Sequence, residues 1–350
     1  MPSPPKKGRV LSGMRPTGKL QLGNYVGALR NWVGLQDQYD CFFFIADWHA
    51  LTTDYADTRS VKQNSLEVML DYLAAGLDPE RSTLFIQSHV LQHAELHLLF
   101  SMITPLGWLE RVPSYKEQRE NLKDKDLGTY GFLGYPLLQA ADILIYQADF
   151  VPVGDDQVPH VELTREVARR FNQFYPRKLH AGDHDPRRGM VFPEPKPLLT
   201  PSPKLPGTDG RKMSKSYGNT ILLTDPEPEV RQKLKTMVTD PARVRRTDTG
   251  DPDKCPVGDL HKVFSPPETM AKVQQGCRTA GIGCIECKGW VADNLVKVLQ
   301  PIQERRASFS EAQVKEILND GSRRARARAE ETMRQVRTAM QMTLSGENGK

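Results

Sequence analysis

Over the first 160 residues, short apolar runs alternate with longer stretches of helical period. The runs at 9–13 (RVLSG), 41–47 (CFFFIAD), 82–88 (STLFIQS) and 149–154 (DFVPVG) are bounded by small or polar residues and have the length of buried strands. Behind the first run Val26, Leu29 and Val33 recur at i, i+3 and i+7, and 60–77 keeps that period until Gly76 offers a helix stop. Apolar strands separated by helices predict a parallel sheet covered on both faces, a Rossmann-like α/β catalytic domain, here with a helical insertion around 55–130. From Pro193 to Gly210 the chain reads PEPKPLLTPSPKLPGTDG, which predicts a structureless connector. The domain boundary is placed there, 1–205 against 206–350. Beyond it every periodic stretch is helical, so a smaller all-helical C-terminal domain is expected.

At 350 residues the chain exceeds the usual single-core size, which agrees with two domains. No apolar run approaches the ~18 residues of a membrane span, and MPSPPKKGRV lacks the apolar stretch of a signal peptide, so a cytoplasmic location without a membrane partner is expected. The 48 basic and 43 acidic residues leave a net charge of only +5, too little to announce a nucleic-acid binder. The charge is concentrated at the end of the chain, in Arg323, Arg324, Arg326, Arg328, Arg334 and Arg337, on a helix that either packs back on the catalytic domain or contacts nucleic acid. Five cysteines, an odd number, argue for a reducing compartment.

Candidate chemistry begins in the loop SGMRPTGKLQLGNYVGAL (12–29), which places Gly13, Gly18 and Gly23 ahead of a helix starting near Asn24. Glycines admit close approach of a ligand, and a helix N-terminus offers free N–H groups to an anion, so this is a nucleotide-phosphate site or an ordinary turn. It is neither a P-loop nor a dinucleotide fingerprint. GRKMSKSYGN (210–219) sets Lys212 and Lys215 three apart on a glycine-flanked loop. In YPLLQAAD (135–142), Tyr135, Gln139 and Asp142 share one helix face. His93 and His97 are four apart on a helix, without the adjoining glutamate of a zinc protease or a third ligand. Cys255, Cys277, Cys284 and Cys287 are separated by 21, 6 and 2 residues. Four such thiols suit a [4Fe–4S] cluster or zinc, or stay reduced.

The 12–29 loop resembles the first signature of class I aminoacyl-tRNA synthetases, and KMSKS (212–216) is identical to their second. RPTG (15–18), GNYVGAL (23–29), DWHA (47–50) and VPVGDDQVPHVELTREVARRFN (151–172) are most similar to the tryptophanyl branch. The resemblance implies ATP with Mg2+, L-tryptophan and tRNA(Trp) as partners, and a homodimer with 101–112 near its interface. It implies Lys212, Lys215, Gln21 and Asn24 as catalytic residues. For ATP it implies Arg15, Gly23, Asn24, Gly154, Asp155, Asp156, Leu205, Lys212, Met213, Ser214, Lys215 and Ser216, and for tryptophan Asp142, Tyr135, Gln139, Gln157, His49 and Leu11. Asp155 and Asp156 also fit a solvated turn or a magnesium pair. Some members carry a [4Fe–4S] cluster at cysteines of similar spacing, in a helical domain near the anticodon.

In the implied reaction an already ionised carboxylate attacks the α-phosphate, so no general base is needed and positioned cations such as Lys212 and Lys215 carry the rate. An indole N–H only donates, so a buried acceptor such as Asp142 is the partner it needs. Two positions depart from the pattern. Gln21 stands where His or Thr is usual, and Gln139 where many tryptophan enzymes carry Met. They keep open a tyrosyl-like specificity and a non-catalytic tRNA- or nucleotide-binding paralogue.

Overall fold

The apolar runs form one parallel sheet: β1 (Arg9–Met14), β2 (Asp40–Ile45), β3 (Ser82–Ile86), β4 (Phe150–Val153) and β5 (Lys196–Leu199), in spatial order β3-β2-β1-β4-β5. The computed structural model describes residues 6–121, 126–177, 189–199 and 205–343, without the side chains of 118–121. Leu11 pairs with Phe42 and Gly13 with Phe44, while Val10 meets Phe150 on the other side. The order reverses between β1 and β4, and in such sheets ligands bind at the carboxyl ends of the strands beside the reversal.

Consecutive phenylalanines on β2 serve opposite faces, which is why the run shows no polar alternation. On one face Trp32 stacks on Phe43 at 4.8 Å with Tyr72 against its edge, beneath the 22–35 helical segment and the Val61–Ala75 helix. On the other, Phe42 and Phe44 pack with Phe85 and Tyr146 under the Tyr130–Ile145 and Val158–Phe174 helices. The 55–130 span contributes β3 as well as its helices. Cys41 is buried on β2, and burial pushes its thiol up to about 12.

One expectation fails. The connector is not structureless, because its residues 196–199 form β5, parallel to β4. Pro197 lacks an N–H, and β5 lies at the sheet edge, the one place where a ladder tolerates that loss. Residues 200–204 of the connector lie outside the described residues.

After residue 226 the described elements are all helices. The last, Glu311–Ala339, runs unbroken from a capping box between Ser310 and Gln313 and packs along β3. Gly321 makes that contact possible, since a Cβ there would lie 1.8 Å from the Leu84 carbonyl oxygen. Three of its arginines turn inward: Arg324 donates to the Pro79 carbonyl (2.7 Å), Arg328 to Gln147 (2.8 Å) and Arg337 to both Glu95 oxygens (2.8 and 2.7 Å), while Arg323, Arg326 and Arg334 stay exposed. Of the two roles open to this helix, packing back is the one seen. No helix among the described residues is long and apolar enough to cross a membrane.

Candidate functional site

At the carboxyl ends of β1, β2 and β4 lies a cleft of about 400 Å³, within the range of small-molecule sites. Its wall is laid by β1, where Gly13 is required: a Cβ there would sit 2.8 Å from the Phe44 carbonyl oxygen and closer still to its ring. The segment after β1 begins its helix at Leu22, widens to a π-turn over Tyr25–Leu29 and resumes as Arg30–Leu35; Gly27 and Ala28 of the π-turn face the cleft. Such π-turns recur at functional sites. All six residues expected to bind the amino acid, Leu11, His49, Tyr135, Gln139, Asp142 and Gln157, line this one cleft, together with Arg15 and Gly154.

Asp142 is fully buried among donors. Oδ1 accepts from Gln87 Nε2 (2.8 Å) and from His93 Nδ1 (2.6 Å), and Oδ2 pairs with His49 Nε2 (2.8 Å). Burial works to raise this carboxyl, but the hydrogen bonds from His49 and His93 outweigh it and hold it at about 2. His93 is tied on its other side to the Tyr146 hydroxyl at 2.8 Å, so both its nitrogens are spent inside the protein rather than on a metal shared with His97. Gln87, His93 and Tyr146 escape sequence reasoning because they come from separate elements. The only visible hint is the pair of helical histidines.

A second chain of polar groups runs along the cleft. Tyr135 hydroxyl lies 2.6 Å from Ser114 Oγ, which lies 2.7 Å from His160 Nε2. Burial first, and His49 after it, pull His160 down to about 4 against the opposing charge of Asp156.

The glycine-flanked lysine loop is better anchored than its composition predicts. Met213 is buried in the core, with its N–H on the Leu205 carbonyl (3.2 Å) and its carbonyl accepting from Gln21 Nε2 (3.3 Å). Asn219, also buried, accepts from the Ser214 N–H (2.8 Å) and donates to Asp209 (2.7 Å). Gly210 and Gly218, at φ +82° and +65°, supply left-handed turns on either side. Gln21 and Leu222 face each other in an antiparallel bridge, in which Leu22 N–H bonds the Ile221 carbonyl and Leu223 N–H the Leu20 carbonyl, clamping this loop to the one after β1. Lys215 Nζ donates to the Thr17 carbonyl (2.7 Å), and burial lowers its pKa against the pull of Asp71. Ser214 and Ser216 share a hydrogen bond at 2.8 Å.

The remaining candidates divide by place. Asn24 Oδ1 accepts the Gln21 N–H (3.2 Å) at the helix start beside Gly23. Arg15 reaches Thr53 and Asp54 (3.0 Å), so it is held at the cleft mouth. Leu205 and Met213 belong to the core. Asp155 and Asp156 are exposed on a short turn. Far from the cleft the four late cysteines face one another, and burial, then the other three thiols, pushes Cys287 up to about 12. Among the described residues no three His, Cys, Asp or Glu side chains meet at the spacing of a single metal ion.

Residues 4–300 match the family described as tRNA synthetases class I (W and Y). A tryptophan–tRNA ligase of Ralstonia nicotianae is 51% identical over 96% of this chain and 99% of its own length. The Thermotoga maritima tryptophan–tRNA ligase is 52% identical over 95% of this chain and 99% of its own. The structure of tryptophanyl-tRNA synthetase from Campylobacter jejuni, complexed with ADP and tryptophan, superposes with a TM-score of 0.82 at 32% identity, covering 95% of this chain and 99% of that one.

Proposed function

Since the chain belongs to the class I tRNA synthetases of the tryptophan and tyrosine branch, we propose that the cleft between β1 and β4 is where its amino acid meets ATP. The enzyme is an aminoacyl-tRNA ligase: it activates L-tryptophan with ATP, releases pyrophosphate and transfers the amino acid to the terminal ribose of its tRNA.

One observation carries the assignment of the pocket. Each carboxylate oxygen can accept two hydrogen bonds. Oδ1 of Asp142 has both, from Gln87 and His93, whereas Oδ2 has only His49 among the described residues, leaving one acceptor position at the wall of the cleft. An indole N–H fills it. Tyr135 and Gln157 then take the ammonium, and Gly154 with the turn of Asp155 and Asp156 takes the ribose. Arg15, Gln21, Gly23, Asn24 and the loop residues Lys212, Ser214, Lys215 and Ser216 take the phosphates. Leu205 and Met213 serve as the apolar root of that loop. Lys215 exchanges the Thr17 carbonyl for phosphate oxygens, a contact that strengthens as charge develops and therefore speeds the chemical step.

Mg2+ fits as a companion of the triphosphate that keeps much of its water, since the described residues build no cage for it. For Cys255, Cys277, Cys284 and Cys287 the proposal is a [4Fe–4S] cluster, whose sulfurs stand wider apart than those around one zinc ion. Arg243 donates to Cys277 Sγ at 3.6 Å, supplying positive charge beside thiolates, and Gly250 lets the backbone come close, since a Cβ there would lie 2.8 Å from that sulfur. Iron and zinc analysis of anaerobically purified protein tests this; finding neither metal removes it. The helices between Glu227 and Ala307 are assigned to the anticodon. The homodimer is supported by Leu98, on the Gln92–Ser101 helix, and by Met102 and Leu106 within 101–112, which are 54%, 70% and 61% exposed. A cytoplasmic location accompanies this work.

Amino-acid-dependent ATP–pyrophosphate exchange, run with tryptophan and tyrosine in parallel, tests the whole. Exchange with tryptophan is expected. Exchange with tyrosine alone would overturn the specificity and point to Gln139, and exchange with neither would overturn the enzyme.

A further inference from the structure

The reading of Tyr135 as an ammonium partner leaves open what makes a phenol, itself a donor, accept from a group that only donates. The geometry points to Ser114 and His160 as positioning residues of the amino-acid site, turning the Tyr135 hydroxyl so that its oxygen lone pairs face the ammonium. The inference rests on the proposed function above and deepens it.

Three helices bring the chain together: Ser114 opens Pro113–Asn121, Tyr135 lies on Tyr130–Ile145 and His160 on Val158–Phe174. Each hydroxyl has one proton. If Tyr135 gives its proton to Ser114 Oγ (2.6 Å) and Ser114 gives its own to His160 Nε2 (2.7 Å), the phenol oxygen keeps its lone pairs for the cleft. If the imidazole donates from Nε2, Ser114 no longer gives its proton to the ring and is free to give it to Tyr135, whose own proton then faces the ammonium. The first polarity needs a neutral ring with its proton on Nδ1. Burial keeps the ring neutral, and Nδ1 is buried with no hydrogen-bond partner among the described residues, so no protein group imposes the other tautomer. Tyr135 and His160 also face each other, ring centres 5.6 Å apart, which limits rotation of the phenol.

The test is ligand affinity measured by calorimetry for tryptophan, tryptamine and indole-3-propionate, the last lacking the ammonium. Ser114→Ala and His160→Leu are expected to weaken tryptophan and tryptamine about tenfold, the worth of one hydrogen bond, and to leave indole-3-propionate unchanged. His160→Gln, which keeps an acceptor, recovers most of the loss. Adding Ser114→Ala to Tyr135→Phe costs nothing more, because both remove the same contact. Equal weakening of all three ligands would show a packing role and overturn the inference, as would no weakening at all. Should His160→Leu fail to fold, Ser114→Ala decides alone. Failure of the unaltered protein to bind tryptophan would overturn the reading beneath it.

Discussion

Asp142 bears on the stability of the fold and, as proposed above, on the indole N–H. Its carboxyl is held at about 2, against an ordinary value near 3.9 in an unfolded chain. A depressed carboxyl stabilises the fold fully above its unfolded value and loses that contribution as pH falls toward its folded one. Roughly 2–3 kcal/mol is therefore lost between about pH 4 and pH 2, and Asp142→Asn should flatten that limb of the acid-unfolding curve. The same substitution should lower kcat/KM for tryptophan in pyrophosphate exchange by about 10²-fold, since an amide that turns its NH2 toward the indole no longer accepts. Lys215→Ala should behave differently, lowering the activation rate far more than tryptophan affinity; equal loss of both would mean that the lysine binds the ground state. Asp142, Tyr135, Gln139 and Gln157 were legible in the sequence, through helical spacing and through motifs. Gln87, Ser114 and Tyr146 were not, because their importance lies in which neighbours they reach, and no periodicity encodes a contact between three helices.

The elements were legible wherever one residue pattern had one physical reading. The phenylalanines of β2 could only be a buried strand, and the 60–77 period could only be a helix. β5 was hidden by Pro197 and the prolines flanking it, which mark a loop unless the strand lies at a sheet edge, and edge position is a property of the assembled sheet. The last helix was readable as a helix but not in its destination. Its docking onto β3 depends on Gly321, whose missing Cβ gives the Leu84 carbonyl room. Gly321→Ala should therefore destabilise, although alanine is the better helix former by up to about 1 kcal/mol. Overpacking of about 2–3 kcal/mol outweighs that gain, and the net loss of about 1–2 kcal/mol lowers Tm by about 1–3 °C in calorimetry. An unchanged or raised Tm would mean that the helix shifts to accommodate the methyl group.

At the scale of the molecule, the C-terminal helices share an apolar core with the sheet side, and Arg306 ties them to it through charge. It donates to Asp71 Oδ1 (2.8 Å) and pairs with Glu67, while Asp71 Oδ2 accepts the Leu20 N–H (2.6 Å) in the loop after β1. Burial raises the Asp71 carboxyl, with Arg306 the chief opposing influence, so Arg306→Ala leaves a buried charge unpaired. The expected loss is about 3–5 kcal/mol near pH 7 in denaturant unfolding, shrinking in acid as Asp71 takes up a proton. The same contact links the distal helices to the loop after β1, proposed above to take the phosphates, so the variant should also raise KM for ATP.

The proposed tryptophan pocket turns on the acceptor position left open at Asp142 Oδ2 among the described residues. Its measurement is the ratio of kcat/KM in pyrophosphate exchange for tryptophan over β-(3-benzothienyl)alanine, which replaces the indole N–H by sulfur at nearly the same shape. The ratio should be about 10² or more in the unaltered enzyme and fall toward one in Asp142→Asn. A ratio near one in the unaltered enzyme, or a large ratio that survives the substitution, would contradict it.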